Sequence, residues 1–190
     1  MKIKQLNPFS REDFLEFFKK LDGELQKIDE TLELIILGGA AITLLNIKER
    51  ATHDLDIAPN QFNSAVEKII KVLSLKSGII VQQVTVSSTV DFIHGDKEKI
   101  FEGRALHVQS ISPQDLIKSK LERFLKQDPE DIYAIIEKTR LSYASFSLLV
   151  NEMLVDYVGN TNRLMLQAAV VVEQMYPGDI EVFKKSLKQF

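Results

Sequence analysis

Leu32-Glu33-Leu34-Ile35-Ile36-Leu37-Gly38-Gly39-Ala40-Ala41, followed shortly by Arg50-Ala51-Thr52-His53-Asp54-Leu55-Asp56-Ile57, is the stretch whose reading decides the fold. The apolar run Leu32 to Leu37 has the length and β-branched content of a buried strand. Gly38-Gly39 then turns the chain into a short apolar helix from Ala40 to about Ile47, and Asp54 to Ala58 reads as a second strand stopped by Pro59-Asn60. A strand, a glycine turn, a helix and a second strand that carries two aspartates form the nucleus of an α/β core.

Upstream, Phe9 to Leu25 reads as a helix with Ser10 as N-cap, Asp13 three residues later, and Phe14, Phe17, Phe18 and Leu21 on one stripe. Downstream, Asn63 to Leu75 is amphipathic and ends at Gly78; Ile79 to Val86, Val90 to Ile93 and Ala105 to Val108 read as strands. The periodicity changes near Ser110. Beyond it Ser112-Pro113 and Asp128-Pro129 open helices, and Gly159 and Pro177-Gly178 separate the last ones. The expected architecture is therefore an α/β core over residues 1–110, a mixed sheet with flanking helices, followed by a helical region over residues 111–190.

The 190 residues, 45% apolar and 27% charged, suffice for a real hydrophobic core. With no cysteine there is no disulfide framework, thiolate metal site or cysteine nucleophile, and a cytoplasmic location is expected. The chain opens on Met1-Lys2-Ile3-Lys4-Gln5 without an apolar signal core, and the charge-free stretch around Leu34 to Leu45 is too short to span a membrane. A net charge of −3 gives no global attraction to nucleic acid or anionic lipid. One local basic excess exists, where Lys118, Lys120, Arg123 and Lys126 accompany only Glu122. No Walker-type loop, dinucleotide glycine triplet, nucleophile elbow or helical histidine pair is present.

Asp54 and Asp56 occupy positions i and i+2, so on a strand both carboxylates share one face, with roughly 6.6 Å between Cα atoms. Leu55 and Ile57 then point to the core. Like charges so placed call for cations between them, and Mg²⁺ suits carboxylate oxygens. Asp91, between Val90 and Phe92, would add a third carboxylate if its strand lies beside the first. Three such groups can hold two hard cations roughly 3.5–4 Å apart for in-line phosphoryl displacement. Gly38 and Gly39 sit where a strand meets a helix N-terminus, a place for phosphate or simply for a tight turn. The plainer reading of the acidic pair is a solvated strand end.

These residues resemble the DNA-polymerase-β-like nucleotidyltransferase superfamily: Gly38-Gly39, Asp54-Leu55-Asp56 and Val90-Asp91-Phe92 follow its motifs in order and spacing. The fuller strings Leu37 to Ala41 and Arg50-x-Thr52-x-Asp54-Leu55-Asp56, with Asp115-Leu116-Ile117, Lys120, Arg123, Asp128 and Asp131, are similar to its bacterial abortive-infection (AbiEii-type) toxin branch. The resemblance implies that Asp54, Asp56 and Asp91 hold two Mg²⁺ ions, with Mn²⁺ as an alternative, and that the glycine turn holds the NTP phosphates. Arg50 and Thr52 contact substrate phosphate or fix the loop. Ala40 stands where many relatives have serine, so one hydroxyl contact to phosphate is missing.

In the helix opened by Ser112-Pro113, the stripe is expected at Ile117, Leu121, Phe124 and Leu125, with Lys118, Glu122 and Lys126 on the solvated face. Lys120 and Arg123 flank the stripe, where they either bind phosphate or snorkel. Asp128-Pro129-x-Asp131 reads first as a helix cap. His53 reads as a loop residue. The expected activity is Mg²⁺-dependent transfer of a nucleoside monophosphate from an NTP to a hydroxyl, with Asp91 doubling as general base. The acceptor is an RNA 3′ end or a protein, and the role that of a toxin with an antitoxin partner. A small-molecule nucleotidyltransferase and a non-catalytic nucleotide- or partner-binding module of the same fold are the alternatives.

Overall fold

A computed structural model describes residues 8–49, 52–84 and 95–186, which fall into two compact units, one ending at Ser112 and one beginning at Pro113. In the first unit the elements run α1 (Arg11–Lys27), β1 (Leu32–Ile36), α2 (Gly38–Leu44), β2 (Asp54–Ile57), α3 (Ser64–Ser77), β3 (Ile80–Gln83), β4 (Lys97–Glu102) and β5 (Leu106–Ile111). The strands form one mixed sheet in the order β3-β2-β1-β5-β4. β1 runs antiparallel to β2 and parallel to β5, while α3 makes the crossover between the parallel neighbours β2 and β3. The expected mixed α/β sheet with flanking helices followed by a helical region is the architecture found.

Local chemistry sets the boundaries. Ser10 caps α1 and completes a capping box with Asp13, whose N–H donates to Ser10 Oγ at 3.2 Å while its carboxylate accepts from the Ser10 N–H at 2.7 Å. Asn63 caps α3, and Gly78 ends it at φ +83°, a left-handed conformation that glycine adopts without a Cβ penalty. Phe14, Phe17, Phe18, Leu21 and Leu25 form the buried stripe of α1. With them Leu34, Ile36, Leu55, Ile57, Leu106 and Val108 of the strands make the core. Asp22 fastens α1 to the β4–β5 hairpin by accepting the N–H groups of Ala105 and Leu106 at 2.8 and 2.9 Å.

Two elements depart from expectation. The glycines are not a turn ahead of a helix but the first two residues of α2 itself. β4, Lys97-Glu98-Lys99-Ile100-Phe101-Glu102, adds a strand that the apolar pattern does not mark, because a charged strand at a sheet edge has no alternating apolar face to reveal it. The strand expected at Val90 to Ile93 lies outside the described residues.

The second unit contains α4 (Pro113–Arg123), α5 (Asp128–Thr139), α6 (Tyr143–Asp156), α7 (Thr161–Met175), a 3₁₀ turn (Pro177–Asp179) and α8 (Ile180–Ser186). Its core joins Leu116, Ile117 and Leu121 to Ile132, Ile135, Phe146, Val150, Leu164, Val171 and Phe183. The expected stripe of α4 is corrected at its end: Phe124 turns to φ +46°, the helix stops, and Leu125 is exposed. No helix among the described residues is long and apolar enough to cross a membrane.

Candidate functional site: an acidic pair beside a glycine

β2 places the site. Leu55 and Ile57 are fully buried, while Asp54 and Asp56 alternate with them and are only half-buried, so both carboxylates share the other face of the sheet. The β1–β2 ladder aligns Ile36 with Ile57, and the Leu37 N–H donates to the Asp56 carbonyl at 2.9 Å. That bond lays the start of α2 directly against Asp56. Gly38 has φ +62°, and a Cβ built on it would collide with the Asp56 carboxylate. Only glycine satisfies both the backbone angle and the approach.

The two carboxylates differ in their surroundings. Asp56 Oδ1 accepts a hydrogen bond from Gln82 Nε2 at 2.7 Å, across the parallel β2–β3 register that aligns Asp56 with Gln82. The Asp54 carboxylate accepts none from a described residue. Its backbone carbonyl receives Thr52 Oγ1 at 3.2 Å, so Thr52 braces the entry to β2. Neither aspartate forms an ion pair with a described lysine or arginine. Two half-buried like charges on one strand face, without a counter-charge among the described residues, present the donor set that a hard divalent cation satisfies.

The first turn of α2 carries no side-chain cap. The N–H groups of Gly38 and Gly39 thus begin the helix beside the carboxylates. Among the described residues no cluster of three or more His, Cys, Asp or Glu side chains gathers at one point. Asp91 and Arg50 lie outside the described residues. His53, expected as a loop residue, directly precedes β2, stacks edge-on against Phe9 with 6.1 Å between ring centres, and buries an Nδ1 that has no hydrogen-bond partner.

Lys120 and Arg123 belong to the second unit, and Lys120 is not at the edge of its helix. Its side chain is 2% exposed, and the ammonium lies between Asp128 Oδ1 at 3.1 Å and Asp131 Oδ2 at 2.6 Å. Arg123, half exposed, holds the same Asp128 through Nε at 3.0 Å and Nη2 at 2.7 Å. Asp128 and Asp131 are therefore ion-pair partners inside the unit. The cap position of α5 is Gln127, and Asp128 instead accepts the Leu125 N–H at 2.7 Å, which corrects the capping reading. Burial disfavours the Asp128 anion, but the hydrogen bonds from Arg123, the Lys120 charge and the Leu125 N–H outweigh it and hold its carboxyl below the usual value. Lys118, expected on the solvated face, is largely covered and pairs with Asp115 at 3.3 Å.

Gln82 is the site residue that sequence reading passed over. Its signal is a polar residue in an otherwise β-forming run, but its match to Asp56 depends on strand register, which the linear sequence does not state.

No match was found among curated proteins or solved structures. A family model described as "Nucleotidyltransferase of unknown function (DUF6036)" matches residues 12–169, which takes in the whole β1–α2–β2 unit, the acidic pair and the helical unit through most of α7. The glycine pair that opens α2, the Asp-x-Asp strand and the extent of that match agree, and the chain belongs to this nucleotidyltransferase family.

Proposed function

We propose that the protein transfers a nucleoside monophosphate from an NTP to a hydroxyl acceptor, with Asp54 and Asp56 holding the divalent ions that accompany the triphosphate. The observation that carries this reading is the placement of both carboxylates on one strand face, without a described counter-cation, against the glycine that opens α2. Asp91 is the third carboxylate of the proposal on the strength of its sequence motif. The bound ions, Mg²⁺ with Mn²⁺ as an alternative, supply neutralisation of the triphosphate and of charge building up in displacement.

The chain's own groups then have separate duties. The uncapped N–H groups of Gly38 and Gly39 face phosphate oxygen. Asp91 takes the proton from the attacking hydroxyl as its oxygen bonds to the α-phosphorus, and pyrophosphate leaves with the electron pair of the broken P–O bond. Thr52 holds the start of β2, and Arg50, just upstream, is the phosphate-contacting candidate of that loop. Lys120 and Arg123 pair with Asp128 and Asp131, and this pairing supports a structural role for both in the helical unit. The similarity of Leu37 to Ala41 and Arg50 to Asp56 to abortive-infection toxins favours an RNA 3′ end or a protein as acceptor, and a toxin role with an antitoxin partner.

The test is incubation with each labelled NTP, Mg²⁺ and cellular RNA or lysate, followed by pyrophosphate release and identification of the labelled product. Asp54→Asn should lose metal-linked NTP binding and transfer together. Asp91→Asn should keep much of the binding while transfer falls by roughly 10²–10⁴-fold, as for a lost acid–base group. Absence of release from the wild type with all four NTPs would make the protein a binding module, and label on a small molecule would move the acceptor to that class.

A further inference from the structure

The Asp56 carboxylate is held from two sides, and one of the holders is a neutral side chain from another strand. Its backbone is fixed from β1 by the Leu37 N–H at 2.9 Å, and its carboxylate abuts Gly38. From the other side, β3 contributes Gln82, whose Nε2 donates to Oδ1 at 2.7 Å. The adjacent Gln83 does something unrelated: its amide closes both ways onto Asn60, accepting from the N–H at 3.0 Å and donating to the carbonyl at 2.9 Å. Residues 82 and 83 point to opposite faces of β3, so only Gln82 reaches the acidic face.

Gln82 is exposed and packs no core. An exposed hydrogen bond contributes little to folding. Its effect falls on Asp56: the carboxylate loses rotational freedom and keeps an orientation that it would otherwise have to adopt on binding. An amide donates this bond without adding any charge to the site. Glutamate at 82 would place a third carboxylate against Asp56, with no described lysine or arginine paired to the aspartates.

We infer that Gln82 is a positioning residue of the acidic site: it sets the Asp56 carboxylate for divalent-cation binding and holds the strand pair to two negative charges. This rests on the reading of Asp54 and Asp56 as cation ligands. Gln82 acts through Asp56 and touches no reacting atom.

The experiment measures Mn²⁺ binding by the decrease of the free-ion electron paramagnetic resonance signal, with thermal melts in the absence and presence of the ion. Gln82→Ala should weaken Mn²⁺ binding by roughly tenfold, the effect of one charge-assisted hydrogen bond, with a nearly unchanged metal-free Tm. Gln82→Glu should melt lower than wild type without metal, because two carboxylates then abut, and should show the larger Mn²⁺-induced rise in Tm. In turnover, Gln82→Ala should raise the Mg²⁺ concentration needed for half-maximal rate and leave kcat at saturating Mg²⁺ close to wild type. Wild-type Mn²⁺ affinity in Gln82→Ala, or a metal-induced shift in Gln82→Glu no larger than that of wild type, overturns the inference. If wild type and Asp56→Asn both fail to bind Mn²⁺, the cation-site reading itself falls, a different result from one in which Asp56→Asn loses binding and the Gln82 variants do not.

Discussion

Gly38→Ala separates the two demands made on this glycine. At φ +62° an alanine costs about 1–2 kcal/mol of backbone strain. Its methyl group would also enter the Asp56 carboxylate, whose Cγ lies 3.3 Å from the Cβ position. Gly78→Ala imposes the first cost alone, since φ is +83° and the nearest atom is Phe9 Cζ at 3.4 Å, an ordinary contact. Gly78→Ala should therefore lose about 1–2 kcal/mol, which lowers Tm by roughly 2–8 °C, and Gly38→Ala at least as much. They should part company on ligand. A Mg²⁺–NTP complex at 100 times its dissociation constant protects the native state by about 2.7 kcal/mol, and a tenfold weakening leaves about 1.4 kcal/mol. In Gly38→Ala the Asp56 carboxylate must move, so protection should fall by at least that much, while Gly78→Ala should keep it in full. The assay is a thermal melt of each variant with Mg²⁺ and a non-hydrolysable NTP. Equal protection in the two variants would refute the claim that Gly38 is glycine because of Asp56.

Lys120→Met leaves Asp128 and Asp131 buried without their shared ammonium, which should cost about 3–5 kcal/mol in denaturant unfolding, read from the helical unit; a change below about 1 kcal/mol would show that the pair is not structural. Asp22→Ala removes the acceptor of two backbone N–H groups and should cost about 1–2 kcal/mol at pH 7. Burial acts to raise the Asp22 pKa, but the N–H groups of Ala105 and Leu106 outweigh it and hold the carboxyl below its ordinary 3.8. The stabilisation is thus complete above that ordinary value and is lost as pH falls through the lower native one. Urea melts of variant and wild type should converge on acidification, and a constant gap would refute this account.

The parts of the site legible in the sequence are those fixed by local periodicity. An i, i+2 pair of aspartates shares a face in any strand, and a glycine pair after an apolar run marks the passage from strand to helix. The Ser10–Asp13 capping box was legible for the same reason, since all its atoms lie within one turn. Gln82 was not, because its relation to Asp56 depends on the crossover through α3 and on the parallel register that follows. A stripe continued through Phe124 and Leu125 puts Lys120 at a helix edge, but both residues fall beyond the end of α4. Its carboxylate partners come from α5, across a left-handed turn that no helical wheel represents. β4 escaped because edge strands are kept soluble by the same charges that hide them from an apolar-alternation test.

The sheet order also bears on how the acidic face comes into being. Every pairing that registers Asp54 and Asp56, β1 with β2 and β2 with β3, is made within residues 32–83, whereas the other neighbour of β1 is Leu106–Ile111. Loop closure is least costly for the nearer partners, so the three-stranded half that carries the carboxylates can close before β5 and β4 dock onto the far side of β1. During synthesis that half is complete while the helical unit is still to be translated. Substitutions in β4 or β5 should thus alter how fast the sheet is completed and leave unchanged the register that puts Asp56 against Gly38.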